Sequence, residues 1–456
     1  MKPKTQDATA FELFQAHFDQ ILNPDHPLVQ LADRIDWPRF EVAFADSYCE
    51  ELGAPGKAIR LMVGLQYLKY AFDESDESVV DRWVENPYWQ HFCGFTHLQH
   101  EAPIDPSSMS RWRKRVGAQR LELLLSETIE LAVRTKQLPQ RDLKQVTIDT
   151  TVQEKNITYP TDSKLLYTAI RKLGRAARQR GIPLRQSYIR VGKRATVMAG
   201  RYAHAKQFKR MRRQLRKLRT YVGRMIRDLE RKTPQLDDDL VVILAKAERL
   251  RNQQPTDSNK LYSWHEPEVK CISKGKARQR YEFGQKVALA TTNRSNWIVA
   301  ARLMENNPYD GHTLAATLEA TESVTGLGVT DAYVDKGYRG HGCNGLTRVH
   351  IAGAASKKAS RSERRRRRRR SAIEPKIGHL KSDHRVRRCF LGGLQGDAIN
   401  IILAAAAANL RKLLAGFWCA LRDRLIVLVA WLAPPPGLAL HLESQRPPPI
   451  PRTAAA

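Results

Sequence analysis

The stretch LKQVTIDTTVQ, Leu143 to Gln153, changes the period of the chain. Val146, Ile148, Thr150 and Val152 alternate with Thr147, Asp149, Thr151 and Gln153, the two-residue repeat of a half-buried strand. Residues 1–138 before it read as helical. AIRLMVGLQYLKYAF (Ala58 to Phe72) lays Ile59, Leu61, Met62, Leu65, Leu68 and Ala71 on one broad face. After it, YEFGQKVALATT (Tyr281 to Thr292) and WIVAARLME (Trp297 to Glu305) are strands joined by the turn NRSN, so they should pair as a hairpin. A helix from His312 to about Thr325, a strand ending at Asp335, the short strand TRVHIAG and an alanine-rich helix from 398 to 414 follow. That order predicts a mixed α/β layer fold.

Residues 160–262 interrupt it. In QFKRMRRQLRKLRTYVGRMIRDLE, apolar residues fall at Phe208, Met211, Leu215, Leu218, Val222, Met225 and Leu229, alternating steps of three and four. Thr233-Pro234 breaks the pattern, and Leu236, Leu240, Ile243, Ala247 and Leu250 resume it. The expectation is a helical hairpin, or one limb of a coiled coil shared with a second subunit. Its first limb carries Lys209, Arg210, Arg212, Arg213, Arg216, Lys217 and Arg219 with almost no acids. A solvated helix face would look similar, but so one-sided a surplus favours contact with phosphates, Arg213 and Arg216 among them. In the N-terminal region, APIDPSSMSRWRKRVG (Ala102 to Gly117) opens a helix bearing Arg111, Arg113, Lys114 and Arg115. It reads either as a DNA-binding helix-turn-helix arrangement or as an ordinary helical domain with a charged face.

A chain of 456 residues, 42% hydrophobic and 27% charged, suits a globular protein of two or three domains. The net charge of +30 implies a polyanionic partner, and nucleic acid is the first expectation. The N-terminus MKPKTQDATAFELFQ has no apolar core of a secretory signal. LIVLVAWLA (Leu425 to Ala433) is about half the roughly 20 residues of a spanning helix, and INIILAAAAANLRKLL reads as a buried helix, so no membrane is expected. Six scattered cysteines without a CxxC pair suit a reducing cytoplasm and exclude a zinc ribbon. Cys93, His97 and His100 lack a recognisable fourth ligand. The proline-rich tail within 416–456 is expected to be partly disordered.

Three carboxylates carry the chemistry. Asp149 lies within a strand, Asp335 ends one, and Glu374 follows the run of seven arginines from Arg364 to Arg370. Singly, each aspartate reads as an ordinary strand-end acid. On a helix, Arg370 at i−4 and Lys381 at i+7 project from the same side as Glu374, and Ile373, Ile377 and Leu380 form an adjacent apolar stripe. Pro375 fits only a first turn, so the arginine run belongs to a separate helix or an approach loop. Two strand aspartates and a helix glutamate are the oxygen set expected for Mg²⁺, with Mn²⁺ as a possible substitute, acting on a phosphodiester. No P-loop, nucleophilic triad or His/Cys zinc set competes.

With TIDTT, VDKGYRG, YEFGQKV, NPYDGHTL (Asn307 to Leu314) and the spacing R-x3-E-x6-K at Arg370, Glu374 and Lys381, the sequence resembles bacterial insertion-sequence transposases of the DDE class, in the IS-five-like group. The resemblance implies a ribonuclease H-like mixed sheet, preceded by an all-helical N-terminal domain and interrupted by the helical insertion. It implies Mg²⁺-dependent cleavage at transposon ends and transfer of the 3′-hydroxyl to target DNA. Asp149, Asp335 and Glu374 would be metal ligands. Arg370 and Lys381 would contact DNA phosphates, with Tyr338 and Arg339 in support. Arg367 stands where that family often has tyrosine. Expected partners are double-stranded DNA, at terminal inverted repeats and target, and a second copy or more of the chain on DNA, in the cytoplasm at the nucleoid. The expected domains are 1–138, 139–415 with the insertion 160–262, and the tail 416–456. A nuclease of the same fold that does not join ends, and an inactive DNA-binding derivative, are the alternatives.

Overall fold

The computed structural model describes residues 16–48, 56–233, 237–273, 280–343, 345–353 and 359–432, with side chains to 423. The N-terminal residues 1–15, Leu236 and the proline-rich tail from 433 lie outside the described residues.

Capping chemistry cuts the first third into short helices. These are α1 (Phe18–Ile21), α2 (Pro27–Ala32), α3 (Trp37–Phe44), α4 (Ile59–Ala71), α5 (Asp76–Glu85) and α6 (Pro87–Phe92). Asp36 and Asn86 accept backbone hydrogen bonds at the starts of α3 and α6, each with proline in the first turn, and Ser75 and Ser78 close a reciprocal capping box on α5. The long α7 (Ser107–Arg134) is kinked at Gly117, whose φ of 81° suits glycine. The loop 93–106 separates α6 from α7 and is too long for a helix-turn-helix connection of three or four residues.

β1 (Gln145–Glu154) is followed by α8 (Asp162–Gln179), α9 (Ile189–His204), α10 (Phe208–Lys232) and α11 (Asp238–Asn252). Then come β2 (Lys270–Ser273), β3 (Tyr281–Thr292), β4 (Ile298–Met304), α12 (Leu314–Thr325), β5 (Asp331–Val334), β6 (Arg348–Ile351), α13 (Arg361–Arg369), α14 (Ile373–Asp383) and α15 (Gly393–Leu432). The mixed sheet runs β2-β3-β1-β5-β6, and β4 shares with β2 the outer edge of the long β3. β1 pairs antiparallel with β3 and parallel with β5, and β5 continues parallel to β6. The expected β3–β4 hairpin is present.

One core joins the N-terminal helices, the sheet and α15. By length and apolarity α15 could cross a membrane, but 78% of its apolar window is buried in the protein, so it is a core helix. Its asparagines explain why so apolar a helix docks in one register. Asn409 exchanges hydrogen bonds with the backbone of Ile298 at the start of β4 and donates to Thr128 of α7. Asn400 accepts from Tyr70 and donates to Gln153 of β1. Each buried amide would cost a few kcal/mol without such partners, so displaced registers are penalised.

The insertion differs from the expected hairpin. Four helices, α8 to α11, enclose a second core. Leu218, Val222, Met225 and Leu229 of the expected seam are buried within it, so they are used inside this chain and not between subunits. Phe208 at the head of α10 is 52% exposed, which marks where the seam leaves the bundle.

Gly284 of β3 faces Glu154 of β1 and Lys270 of β2 together, and a Cβ there would come within 1.9 Å of the Gln153 carbonyl oxygen. Gly284→Ala should destabilise the fold by roughly 1–3 kcal/mol, read as a lower midpoint in denaturant melts.

Candidate active site

The pairing of β1 with β5 builds the site. Gln145, Val146 and Thr147 face Asp331, Ala332 and Tyr333 in parallel register. Two further steps in that register set Asp149 beside Asp335, on strands roughly 4.8 Å apart. The Asp149 carboxylate accepts from the Thr150 amide at 2.8 Å. β5 stops at Val334, and Asp335 then caps a tight turn, its Oδ1 accepting from the Gly337 amide at 2.8 Å. Glycine leaves this turn room between two carboxylates. A Cβ on residue 337 would lie 3.0 Å from Asp335 Oδ1 and 3.3 Å from Asp310 Oδ2.

Asp310 is thus a further acid at the same place. Its Oδ1 accepts from the Thr150 hydroxyl at 2.8 Å and from Lys286 Nζ at 2.9 Å, and Lys286 also donates to the Pro308 carbonyl. Tyr338 lies beneath, wholly buried, its hydroxyl without a hydrogen-bond partner among the described residues. Burial above all, and the charges of Asp149, Asp310 and Asp335, push this phenol far above its usual range. The carboxylates of Asp149, Asp310 and Asp335 thus bring negative charge to bear on one buried phenol, with Thr313 also beside it. Asp310 escapes sequence reasoning although it stands inside NPYDGHTL, because its role arises only from contacts with Thr150 and Lys286 far off in sequence.

Glu374 stands apart. It is in the first turn of α14, its side chain 62% exposed and 3.6 Å from Arg370. The arginine run is a separate helix, α13, joined to α14 by a short 3₁₀ turn that contains Arg370, so Pro375 falls in a first turn where proline is tolerated. Among the described residues no group of three His, Cys, Asp or Glu side chains is close enough to hold a metal ion. Asp149 and Asp335 suit a hard divalent cation by chemistry and adjacency, whereas Glu374 is not gathered with them.

Two family profiles match the chain: a transposase domain (DUF772) over residues 16–115 and a transposase DDE domain over residues 339–414. The chain is also 53% identical over 208 residues to an uncharacterized protein, ORF8 in the nfe locus of Rhizobium meliloti, covering 46% of this chain and 100% of that protein. The chain belongs to the DDE transposases. No solved structure matches it.

The DDE match takes in Arg367, Arg370, Glu374 and Lys381 of this transposase, and the N-terminal match takes in the first turns of α7. Arg111 and Lys114 are exposed there, as are Arg213 and Arg216 on α10 and Arg339 after the site turn. Arg367 is half-buried, reaching Glu363 and His350 beside a 320 Å³ cavity also lined by Tyr333, Arg364, Arg368 and Arg370. Lys381 lines a second cleft with Glu154 and Arg388.

Two expected DNA contacts are corrected. Tyr338 is wholly buried, so no DNA can touch it, and it underpins the carboxylates instead. Arg113 is interior, its guanidinium on Asp76 at 2.9 and 2.5 Å and on Gln66 at 3.1 Å, with Asp76 shared by Lys69. Helical spacing signals this, because Arg113 falls on the face of Met109, Trp112 and Val116. Arg113→Met should therefore cost roughly 1–3 kcal/mol of stability, because it leaves Asp76 to Lys69 alone and Gln66 without its partner, seen as a lower melting temperature with unchanged duplex-DNA affinity.

Proposed function

We propose that this transposase cleaves DNA at the ends of its element and joins the freed 3′-hydroxyl to target DNA, within the IS-five-like group. The observation that supports this most is the parallel β1–β5 register, which sets Asp149 against Asp335 at the sheet's centre. A sheet in which β1, β4, β5 and β6 run one way and β3 the other agrees with a ribonuclease H-like catalytic region over 139–415. The helical region 1–138 and the insertion 160–262 are then DNA-holding additions to it.

In this reading Asp149, Asp335 and Glu374 hold Mg²⁺ or Mn²⁺, which when bound would activate the attacking oxygen and stabilise the leaving one. The chain's own residues do the rest. Lys286 and Thr150 fix one oxygen of Asp310 and leave its Oδ2 turned toward the Asp335 side. Arg370 pairs with Glu374 at the surface, where such a bond is worth about 0–1 kcal/mol. A DNA phosphate competes easily for that guanidinium, and Glu374 is then released toward the aspartates. Arg370, Arg367, Arg339 and Lys381 grip the backbone near the cut, as do Arg111 and Lys114 farther off.

The insertion is the second grip. From Ser163 to Arg227 there is no Asp or Glu, and Arg213 and Arg216 stand exposed on α10. Long cationic side chains with no acids among them suit the phosphate backbone. Two or more copies of the chain would assemble on paired ends.

Incubation with Mg²⁺ and DNA carrying the element's terminal repeats tests the chemistry. Joined products are expected, cleavage alone would favour a simple nuclease, and shifted but uncut DNA would reject both. Asp149→Asn, Asp335→Asn and Glu374→Gln should each abolish cleavage while sparing end binding. Arg213→Glu with Arg216→Glu should lower the slope of log affinity against log salt by about 2, measured by anisotropy on random duplex.

A further inference from the structure

Beyond the carboxylates, a continuous polar groove runs from the end of β1 past α14 to the start of α15. It comprises two clefts, of 610 Å³ and 850 Å³, that share Arg385 and Phe390. Phe390 stands between them with its side chain 62% exposed. A lone exposed apolar side chain is ordinary on a protein surface, so a role for Phe390 needs a further observation beside it. Its setting supplies one. Arg385 lies against the ring, 5.6 Å from its centroid, and is itself fixed by the Asp73 carbonyl at 2.9 Å and the Asp73 carboxylate at 3.5 Å. Arg385 also holds a left-handed backbone, φ 63°, a conformation that costs about 1–3 kcal/mol in a residue other than glycine. The end of α14, where the Val386 amide returns to the Leu380 carbonyl, thus sets a cation beside an exposed aromatic face.

Acids line the groove as well, Asp73 and Glu154 in the nearer cleft and Asp76 and Glu77 in the farther one, but exposed cations stand at its mouth. Arg387 and Arg388 are exposed on one side, Lys381 lines the nearer cleft and Lys114 the farther one. Lys381 is about 10 Å from Glu374 along α14. Glu154, in the same cleft, is about 17 Å from Asp149 along β1. Along these two elements the groove begins about 10–17 Å from Glu374 and Asp149, a few nucleotides of a single strand.

We infer that this groove binds unpaired DNA next to the cleavage position, with one base stacked on Phe390 and the neighbouring phosphates held by Arg387, Arg388 and Lys381. An aromatic face within a cationic channel is how single strands are held, since every base has a flat face to offer and the phosphates need only cations. Duplex DNA alone would not use Phe390, because its bases are stacked on one another. The inference rests on the proposed transposition chemistry only for its location. Binding itself is independent of cutting.

The experiment uses the full chain in EDTA, so that cleavage does not enter. A short single-stranded oligonucleotide with one 2-aminopurine, and a blunt duplex of the same sequence, are titrated against the native protein, Phe390→Ala and Phe390→Trp. Phe390→Ala should weaken single-strand binding about tenfold or more, abolish the fluorescence change of the stacked analogue and leave blunt-duplex affinity unaltered. Phe390→Trp should retain both single-strand signals. The exposed position makes misfolding an unsuitable excuse, and equal melting temperatures check it. Native-like single-strand binding by Phe390→Ala would overturn the proposal, as would an equal loss on blunt duplex. Cleavage assays with Mg²⁺ report separately on the transposition reading.

Discussion

β1 is hydrogen-bonded along both edges, and the rest of the molecule depends on that. Its antiparallel partner β3 fixes which side chains face each layer, and its parallel partner β5 fixes which residue stands beside Asp149. A slip of one residue would turn Asp149 to the opposite face, into the buried place of Thr150, and leave Thr150 beside Asp335. The far end of β1 is anchored as firmly. Lys155 is buried against Asp397 of α15 at 2.9 Å, Glu266 at 3.1 Å and the Gly393 carbonyl at 3.0 Å. Lys155 is where the chain leaves the sheet for the insertion, and Glu266 is where it returns. One ion cluster therefore closes the neck of the insertion and ties it to the core helix. A large helical unit with its own core can be attached there without disturbing the register that the site needs.

Charge is sorted in the same spirit. The surplus of +30 sits mainly on outward helix faces, and α10 and α13 display arginines with few acids near them. Interior charges are matched, as in Arg113 with Asp76 or Glu127 with Arg39 and Arg134. The pocket of Asp149, Asp310 and Asp335 over Tyr338 breaks this pattern. Negative charge inside a cationic shell is an arrangement that suits a polyanionic partner, because the shell attracts phosphates that the carboxylates alone would repel.

Features governed by local periodicity were legible in the sequence. The strand β1, the β3–β4 hairpin and the buried character of α15 follow from side chains close in sequence, but β1 is not half-buried as its alternation predicts, because Thr147, Thr151 and Gln153 are buried as well. β2 was not legible, since four residues that merely extend the sheet beside the beginning of β3 carry no pattern of their own. The insertion shows the boundary case. Its heptad spacing gives helices, but α8 and α9 complete the core through contacts that spacing cannot specify. In the site, Asp149 and Asp335 announced themselves as acids in apolar strands. Asp310 is loop-borne and acquires its meaning from Lys286 and Thr150, and Arg113 looked like a surface cation until its neighbours on the inner face of α7 were considered.

The position of Glu374 follows from what is fixed around it. Asn293 bridges Thr147 of β1 and the Arg366 carbonyl of α13, at 3.0 and 3.1 Å. Asn296 donates to the Ala372 carbonyl at the junction with α14, and Ile373 and Leu380 are wholly buried beneath that helix. The NRSN turn thus does more than reverse the chain, because its two asparagines clamp the arginine helix and its successor to the strand that bears Asp149. With the backbone held at these points, a rigid-body shift of α14 would break buried hydrogen bonds and open apolar surface. Rotation of the Glu374 side chain breaks only an exposed ion pair with Arg370. The cheaper motion is the side chain's, so whatever engages Arg370 governs how the Glu374 carboxylate is presented.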